Sequence, residues 1–153
     1  MPNFSSILDR KSSEVEEPKA LPVGTYLVIL QGQYQMGQSS VKKTDFIFFP
    51  SKILAAQEDV SQSEIEAFGG VQGKELKGRQ GLQFYLTEES AYRLKEFLVD
   101  HLGIAPTNPD GSEKSMKEMC MEAPGKQVLA VVSHQPSDDG KRIFGNLAKT
   151  MRV

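Results

Sequence analysis

The residues of this sequence best suited to ligand chemistry are aromatic rings and cations that alternate along short, strand-like stretches. One such stretch is DFIFFPSK, residues 45–52. Because successive side chains of a strand point to opposite faces, residues of equal parity share a face. The pattern predicts two opposed sets, allowing for a break at Pro50: Phe46, Phe48 and Lys52 on one face, Ile47, Phe49 and Ile53 on the other.

Two further stretches show the same alternation. In KGRQGLQFYL, residues 77–86, we expect Leu82, Phe84 and Leu86 to face inward and Lys77, Arg79, Gln83 and Tyr85 to face outward. In RIFGNLA, residues 142–148, the pattern groups Arg142, Phe144 and Asn146 against Ile143 and Leu147.

Interleaved rings and cations are what a single strand of nucleic acid requires. Its bases stack on aromatic rings, at about 1–3 kcal/mol each, and its phosphates bind Lys or Arg in a salt-dependent way. The alternative is that the rings are core and the cations only solubilise the sheet, since Phe is among the most often buried residues. Of the rings, we expect Tyr85 to be exposed. The candidate contacts are Lys42, Lys43, Phe46, Phe48, Lys52, Lys77, Arg79, Tyr85, Arg142 and Phe144.

Catalytic patterns are scarce by comparison. The two histidines, His101 and His134, belong to no nucleophile or metal pattern, and Cys120 lies among methionines as on an apolar helix face. The chain has no zinc-ligand spacing and no phosphate-binding glycine motif or nucleophile elbow. We therefore expect no enzyme, no metal, no cofactor and no small-molecule substrate.

The net charge of −2 argues against a polyanion partner. The distribution of charged residues along the chain does not argue against one. Residues 21–54, 71–86 and 123–153 together carry +7, and the remaining segments carry −9. The positive segments contain the predicted strands, so a basic sheet balanced by acidic helices is one interpretation. Chance scatter of surface charge is the other.

The order of predicted elements indicates the fold class. Strands are expected at 25–35, with a bulge or bend at Gly32, at 45–49 with a continuation beyond Pro50, and at 77–86, 126–134 and 142–148. Thr87 is a good N-cap for an amphipathic helix ending near Gly103, and short helices are expected at 60–70 and 116–123. The sequence predicts a mainly β, α+β chain: a five-stranded barrel of the oligonucleotide/oligosaccharide-binding type, with a helix between the third and fourth strands. An open α+β sheet has the same order.

The chain length of 153 residues suits one domain. We expect a flexible arm over 1–20, with Phe4, Ile7 and Leu8 as its apolar cluster, and a single domain over 21–153. No apolar run is long enough to span a membrane, and the start lacks a signal-peptide layout. A single cysteine fits a reducing compartment, although many exported proteins also lack disulfides.

Three stretches, LPVGTYLVILQGQ, FYLTEESAYRLKEFLVDHLGI and EAPGKQVLAVVSHQPSDDGKRIFG, resemble a family of small phage-encoded single-stranded-DNA-binding proteins. The resemblance covers most of residues 21–148 and rests on fold motifs. It implies a barrel that coats exposed DNA without chemistry during phage replication or recombination, in the cytoplasm of the bacterial host. One departure is the basic ending KTMRV, so recruitment of partners through an acidic tail is not expected. The acidic net charge favours either modest affinity or several protomers on one strand.

Two other function classes stay open at this point. A viral structural or assembly protein would clasp a neighbouring subunit with the arm at residues 1–20. An adaptor would recruit a partner strand to its sheet edge.

Overall fold

The computed structural model describes residues 20–141 and 143–153. The expected arm, with Phe4, Ile7 and Leu8, therefore lies outside the described residues apart from Ala20, and Arg142 also lies outside them. The strands are β1 Gly24–Leu30, β2 Gln35–Gln38, β3 Asp45–Phe49, β4 Ser51–Ala56, β5 Leu82–Tyr85, β6 Gln127–Pro136 and β7 Ile143–Met151. The α-helices are α1 Gln62–Phe68, α2 Glu88–Glu96 and α3 Met116–Glu122, with a 3-10 turn at Gly78–Gln80 and a π-helical turn at Phe97–His101.

The strands form two antiparallel sheets, in the orders β4-β1-β6-β7 and β2-β3-β5. The α+β class is thus confirmed. The described ladders do not close into a barrel. Seven strands replace the expected five because two predicted strands are each divided by a bend. Residues 36–38, expected as loop, belong to β2 and pair with β3.

The two bends lie side by side. Between β1 and β2 the chain turns at Gly32, whose φ of 73° favours glycine. Between β3 and β4 it turns at Pro50, which has no N–H to donate to a ladder. The Gln31 N–H donates to the Pro50 carbonyl over 2.8 Å, joining the bends. One bent hairpin therefore supplies strands to both sheets, and the bend predicted at Gly32 is confirmed.

The core lies between the sheets and under α2. Thr87 caps α2 as predicted, its hydroxyl accepting from the Ser90 N–H over 3.2 Å. The following π-helical turn carries Phe97, which is fully buried. Its ring centroid lies 5.5 Å from that of Phe49 and 4.8 Å from that of Phe84. This ring cluster joins β3, β5 and the helix.

The third predicted strand is shorter than expected. Residues 77–81 do not pair as a strand, because Gly78 has a φ of 59° and begins the 3-10 turn. That turn lies against β7, where a Cβ on Gly145 would come within 2.8 Å of the Gln80 side chain. The expectation that Leu86 faces inward is wrong: β5 ends at Tyr85, and Leu86 is exposed.

Helix α3 has the apolar face that its methionines predicted. Met119 and Cys120 are buried, and burial raises the pKa of the Cys120 thiol to about 11. Within the described ranges, no helix has the length and apolar character needed to cross a bilayer.

Asp59 ties the loop after β4 to the start of β1. Its carboxylate accepts from the Thr25 N–H over 2.9 Å and from the Thr25 hydroxyl over 2.8 Å. These hydrogen bonds lower the pKa of Asp59 below its usual 3.8.

Replacing Phe97 with Ala should lower the free energy of unfolding by about 3–5 kcal/mol, because it empties the centre of the ring cluster. Urea denaturation measures this loss. The control is Tyr92→Ala on α2, where the ring is 67% exposed and the change should stay within about 0.5 kcal/mol. Equal losses in the two variants would contradict this core assignment.

The Asp59 bonds should make a pH-dependent contribution to stability. Because the folded pKa lies below 3.8, the contribution is present above that value and is lost as pH falls through the folded pKa. We expect Asp59→Ala to destabilise the protein near pH 7 and to have little effect below the folded pKa, as measured by urea unfolding. An Asp59→Ala effect that does not change with pH would rule out this contribution.

Candidate nucleic-acid interface

The three-stranded sheet turns one face to the core and one to solvent. Ile47, Phe49 and Leu82 are buried on the inner face, as their parity predicted. The register places two rows of side chains across the other face. We call this the outer sheet face: Gln35, Gly37, Phe46, Phe48, Gln83 and Tyr85.

The first row is Gly37, Phe46 and Tyr85. A Cβ on Gly37 would come within 2.5 Å of the Phe46 ring, so this ring lies directly over the glycine. The Phe46 and Tyr85 rings meet edge to face, with their centroids 6.4 Å apart. Tyr85 is 45% exposed, which agrees with the expectation for this ring. The row therefore presents aromatic surface to solvent.

The second row is Gln35, Phe48 and Gln83. Phe48 is half-buried, and a Cβ on Gly81 would lie 2.8 Å from its ring. The ring is thus held over a glycine, as in the first row, and a glutamine lies on each side of it.

Three concavities border the outer sheet face. One lies between the β2–β3 loop and the start of α2, one between Gln35, Phe48 and Lys77, and one between Arg79 and Leu147. Tyr85 lines the first and third, and Gln83 lines the second and third. The three are therefore parts of one continuous surface along β5.

Two cationic regions flank this surface. At one end Lys42 lines the first concavity, and exposed Lys43 follows it with a φ of 52°. The other is Arg79, which lines the third concavity beside Tyr85. The Arg79 guanidinium lies 4.5 Å from the ring centroid of half-buried Phe144, within the range of a cation–π contact. Phe144 thereby positions a cation next to the exposed ring.

Lys77 lines the second concavity but is already paired. Its Nζ lies 3.2 Å from a carboxylate oxygen of Glu75, with 76% and 53% of the two side chains exposed. An exposed pair of this kind is worth about 0–1 kcal/mol, so a phosphate can compete for Lys77.

Two of the candidate residues are not part of this surface as the structure describes it. Lys52 is exposed on β4 of the other sheet, opposite Glu75, and lines none of the three concavities. Arg142 falls outside the described ranges. The structure thus brings together Lys42, Phe46, Phe48, Lys77, Arg79, Tyr85 and Phe144 around one face. Lys43 is exposed next to Lys42 but lines none of the three concavities.

Several residues that shape this surface were not predicted from the sequence. Gly37 and Gly81 lack side chains and so leave room for the rings of Phe46 and Phe48. Gln35, which flanks Phe48, was expected at the end of the first strand. A glycine directly opposite an aromatic residue on the neighbouring strand, as Gly37 is opposite Phe46, could have indicated that ring's position, but recognising it requires the strand register.

The histidines have structural partners. His101 Nδ1 lies 2.6 Å from the Thr150 hydroxyl, and His134 Nε2 lies 2.7 Å from the Leu21 carbonyl oxygen. Among the residues that the structure describes, no three His, Cys, Asp or Glu side chains are grouped as a metal site would need.

No protein-family model matches this chain, and a search of curated proteins finds no significant match.

Replacing Gly37 with Ala should displace the Phe46 ring, because the new Cβ would come within 2.5 Å of it. We expect the nuclear Overhauser contacts between the Phe46 and Tyr85 ring protons to weaken or vanish. Met36→Ala is the matched control, since Met36 is the preceding residue of β2 and 58% exposed. Unchanged ring contacts in the Gly37 variant would contradict this arrangement.

Proposed function

We propose that this protein binds single-stranded DNA on its outer sheet face, without catalysis and largely without regard to sequence. The observation that carries the proposal is the placement of Tyr85, Phe46 and Arg79 along one open surface. Exposed rings give unpaired bases a place to stack, and the flanking cations give the phosphates partners.

The connectivity supports an assignment to the oligonucleotide/oligosaccharide-binding class. If β1 with β2, and β3 with β4, are each counted as one bent strand, five strands remain, with α2 between the third and the fourth. Their pairing order is third, second, first, fourth, fifth. We propose an open form of this barrel, in which side-chain contacts of the Gly78–Gln80 turn replace a ladder between β5 and β7. In this class the face of strands two and three binds the ligand, and here that is the outer sheet face.

The resemblance to phage single-stranded-DNA-binding proteins favours DNA and a role in phage replication or recombination. Stacking and ion pairing by themselves serve both DNA and RNA. The few cations around the face favour modest affinity for each protomer, consistent with a net charge of −2.

Fluorescence anisotropy with a labelled oligothymidine tests the proposal. We expect Tyr85→Ala to lower affinity by about 1–3 kcal/mol, or roughly 5- to 150-fold, through the loss of one stacked base. Tyr92→Ala is the matched control, because that tyrosine is exposed on α2 and should leave affinity unchanged. Failure of the wild-type protein to bind at low salt, at concentrations on the order of 10 µM, would refute the proposal, because even non-specific binding typically falls in the range of about 1–100 µM at physiological salt and tightens at lower salt.

The cations should give a different signature from the rings. Arg79→Gln should reduce the slope of log affinity against log salt by about 0.7, the value for one phosphate contact on a single strand. Tyr85→Ala should lower affinity while leaving that slope unchanged. Titrations of the two variants over a series of salt concentrations separate the effects. Identical slopes for wild type and Arg79→Gln would remove Arg79 from the interface.

A further inference from the structure

We propose that the outer sheet face contains two unlike base subsites: a stacking subsite at Gly37, Phe46 and Tyr85, and an adenine-selective subsite at Gln35, Phe48 and Gln83. This inference rests on the proposed function, because it divides the same surface. It predicts that a largely sequence-tolerant protein prefers one base at one position.

The two glutamines of the second row have unused hydrogen-bonding groups. Among the described residues, no hydrogen bond engages the side-chain amide of Gln35 or Gln83. Two other glutamines near this face are engaged: Gln38 donates to Asp45, and Gln80 accepts from the Leu21 N–H. The amides of Gln35 and Gln83, on either side of the Phe48 ring, are thus free to bind a ligand.

The register sets the geometry of this subsite. Gln35 and Gln83 both lie directly opposite Phe48, on the two neighbouring strands. The backbones of those strands are roughly 10 Å apart, twice the spacing of adjacent strands. A base stacked on Phe48 therefore has its edges between two amides.

An amide donates and accepts hydrogen bonds at once, which selects among base edges. Glutamine pairs bidentately with adenine, through the exocyclic amino group and a ring nitrogen. A single strand leaves both the Watson–Crick and the Hoogsteen edges of its bases open to such contacts. On its Watson–Crick edge every base offers an amide a donor beside an acceptor, but on the Hoogsteen edge only adenine does so. Adenine is therefore the one base that can pair bidentately with both amides of this row.

One further polar residue contributes to the lining of the surrounding concavity. Ser51 lines it together with Gln35, Phe48 and Gln83. This residue is 1% exposed, and within the described ranges its hydroxyl has no hydrogen-bond partner. In the first row, by contrast, only a glycine and two rings are present, and stacking on rings is tolerant of base identity.

The test uses four short oligothymidines of equal length, unsubstituted or with one central adenine, cytosine or guanine, and competition anisotropy. We expect the adenine oligonucleotide to bind wild type about fivefold or more tightly than the others, the lower limit for one bidentate pair. Gln35→Ala and Gln83→Ala should each reduce this preference. Gln38→Ala is the matched control, because its amide is already bonded to Asp45, and should retain it.

Three outcomes would overturn the inference: equal binding of all four oligonucleotides by wild type, tightest binding of another base, or an adenine preference that survives in both glutamine variants. The first two outcomes are measured on the wild-type protein alone. The proposal can therefore be refuted even if a glutamine variant fails to fold. Equal binding of all four would leave the proposed function standing, whereas binding of none would remove both.

Discussion

The contact among the rings of Phe49, Phe84 and Phe97 decides which way the three-stranded sheet faces. Phe49 and Phe84 lie on neighbouring strands, and Phe97 packs on both from the helix. Because side chains alternate with a period of two, a slip of one residue in β3 or β5 would exchange the faces completely. Burial of these rings therefore forces Phe46, Phe48 and Tyr85 outward. The candidate interface is a consequence of how the core is packed.

The bends at Gly32 and Pro50 give the molecule its second requirement, a sheet whose outer face is open. A straight hairpin would keep both of its strands in one sheet. The paired bends instead carry the chain into the three-stranded sheet. The hydrogen bond from the Gln31 N–H to the Pro50 carbonyl joins the two bends. Between β5 and β7 the Gly78–Gln80 turn packs by side chains. That contact brings Arg79 over Phe144 and next to the exposed ring of Tyr85.

Cations lie beside this surface, and acidic residues lie at the starts of the helices. Lys42 and Arg79 flank the outer sheet face, whereas helices α1, α2 and α3 carry acidic residues in their first turns. Acids at helix N-termini also stabilise those helices through the helix dipole. A net charge of −2 is thus compatible with a locally cationic surface. With so few cations, the rings supply a large part of the proposed affinity.

The sequence by itself determined the local features, because these depend on neighbours in the chain. The Thr87 cap, the break at Pro50, the bend at Gly32 and the alternation of Phe46 and Phe48 against Ile47 and Phe49 all follow from short-range chemistry. Tertiary structure decided the rest. Only strand register places Gly37 beneath Phe46 and sets Gln35 and Gln83 on either side of Phe48. Only the folded structure shows that Lys52 lies in the other sheet, away from these rings, and that β5 ends at Tyr85, before Leu86. Pairing joins residues far apart in the chain, so a pattern read along the sequence does not contain it.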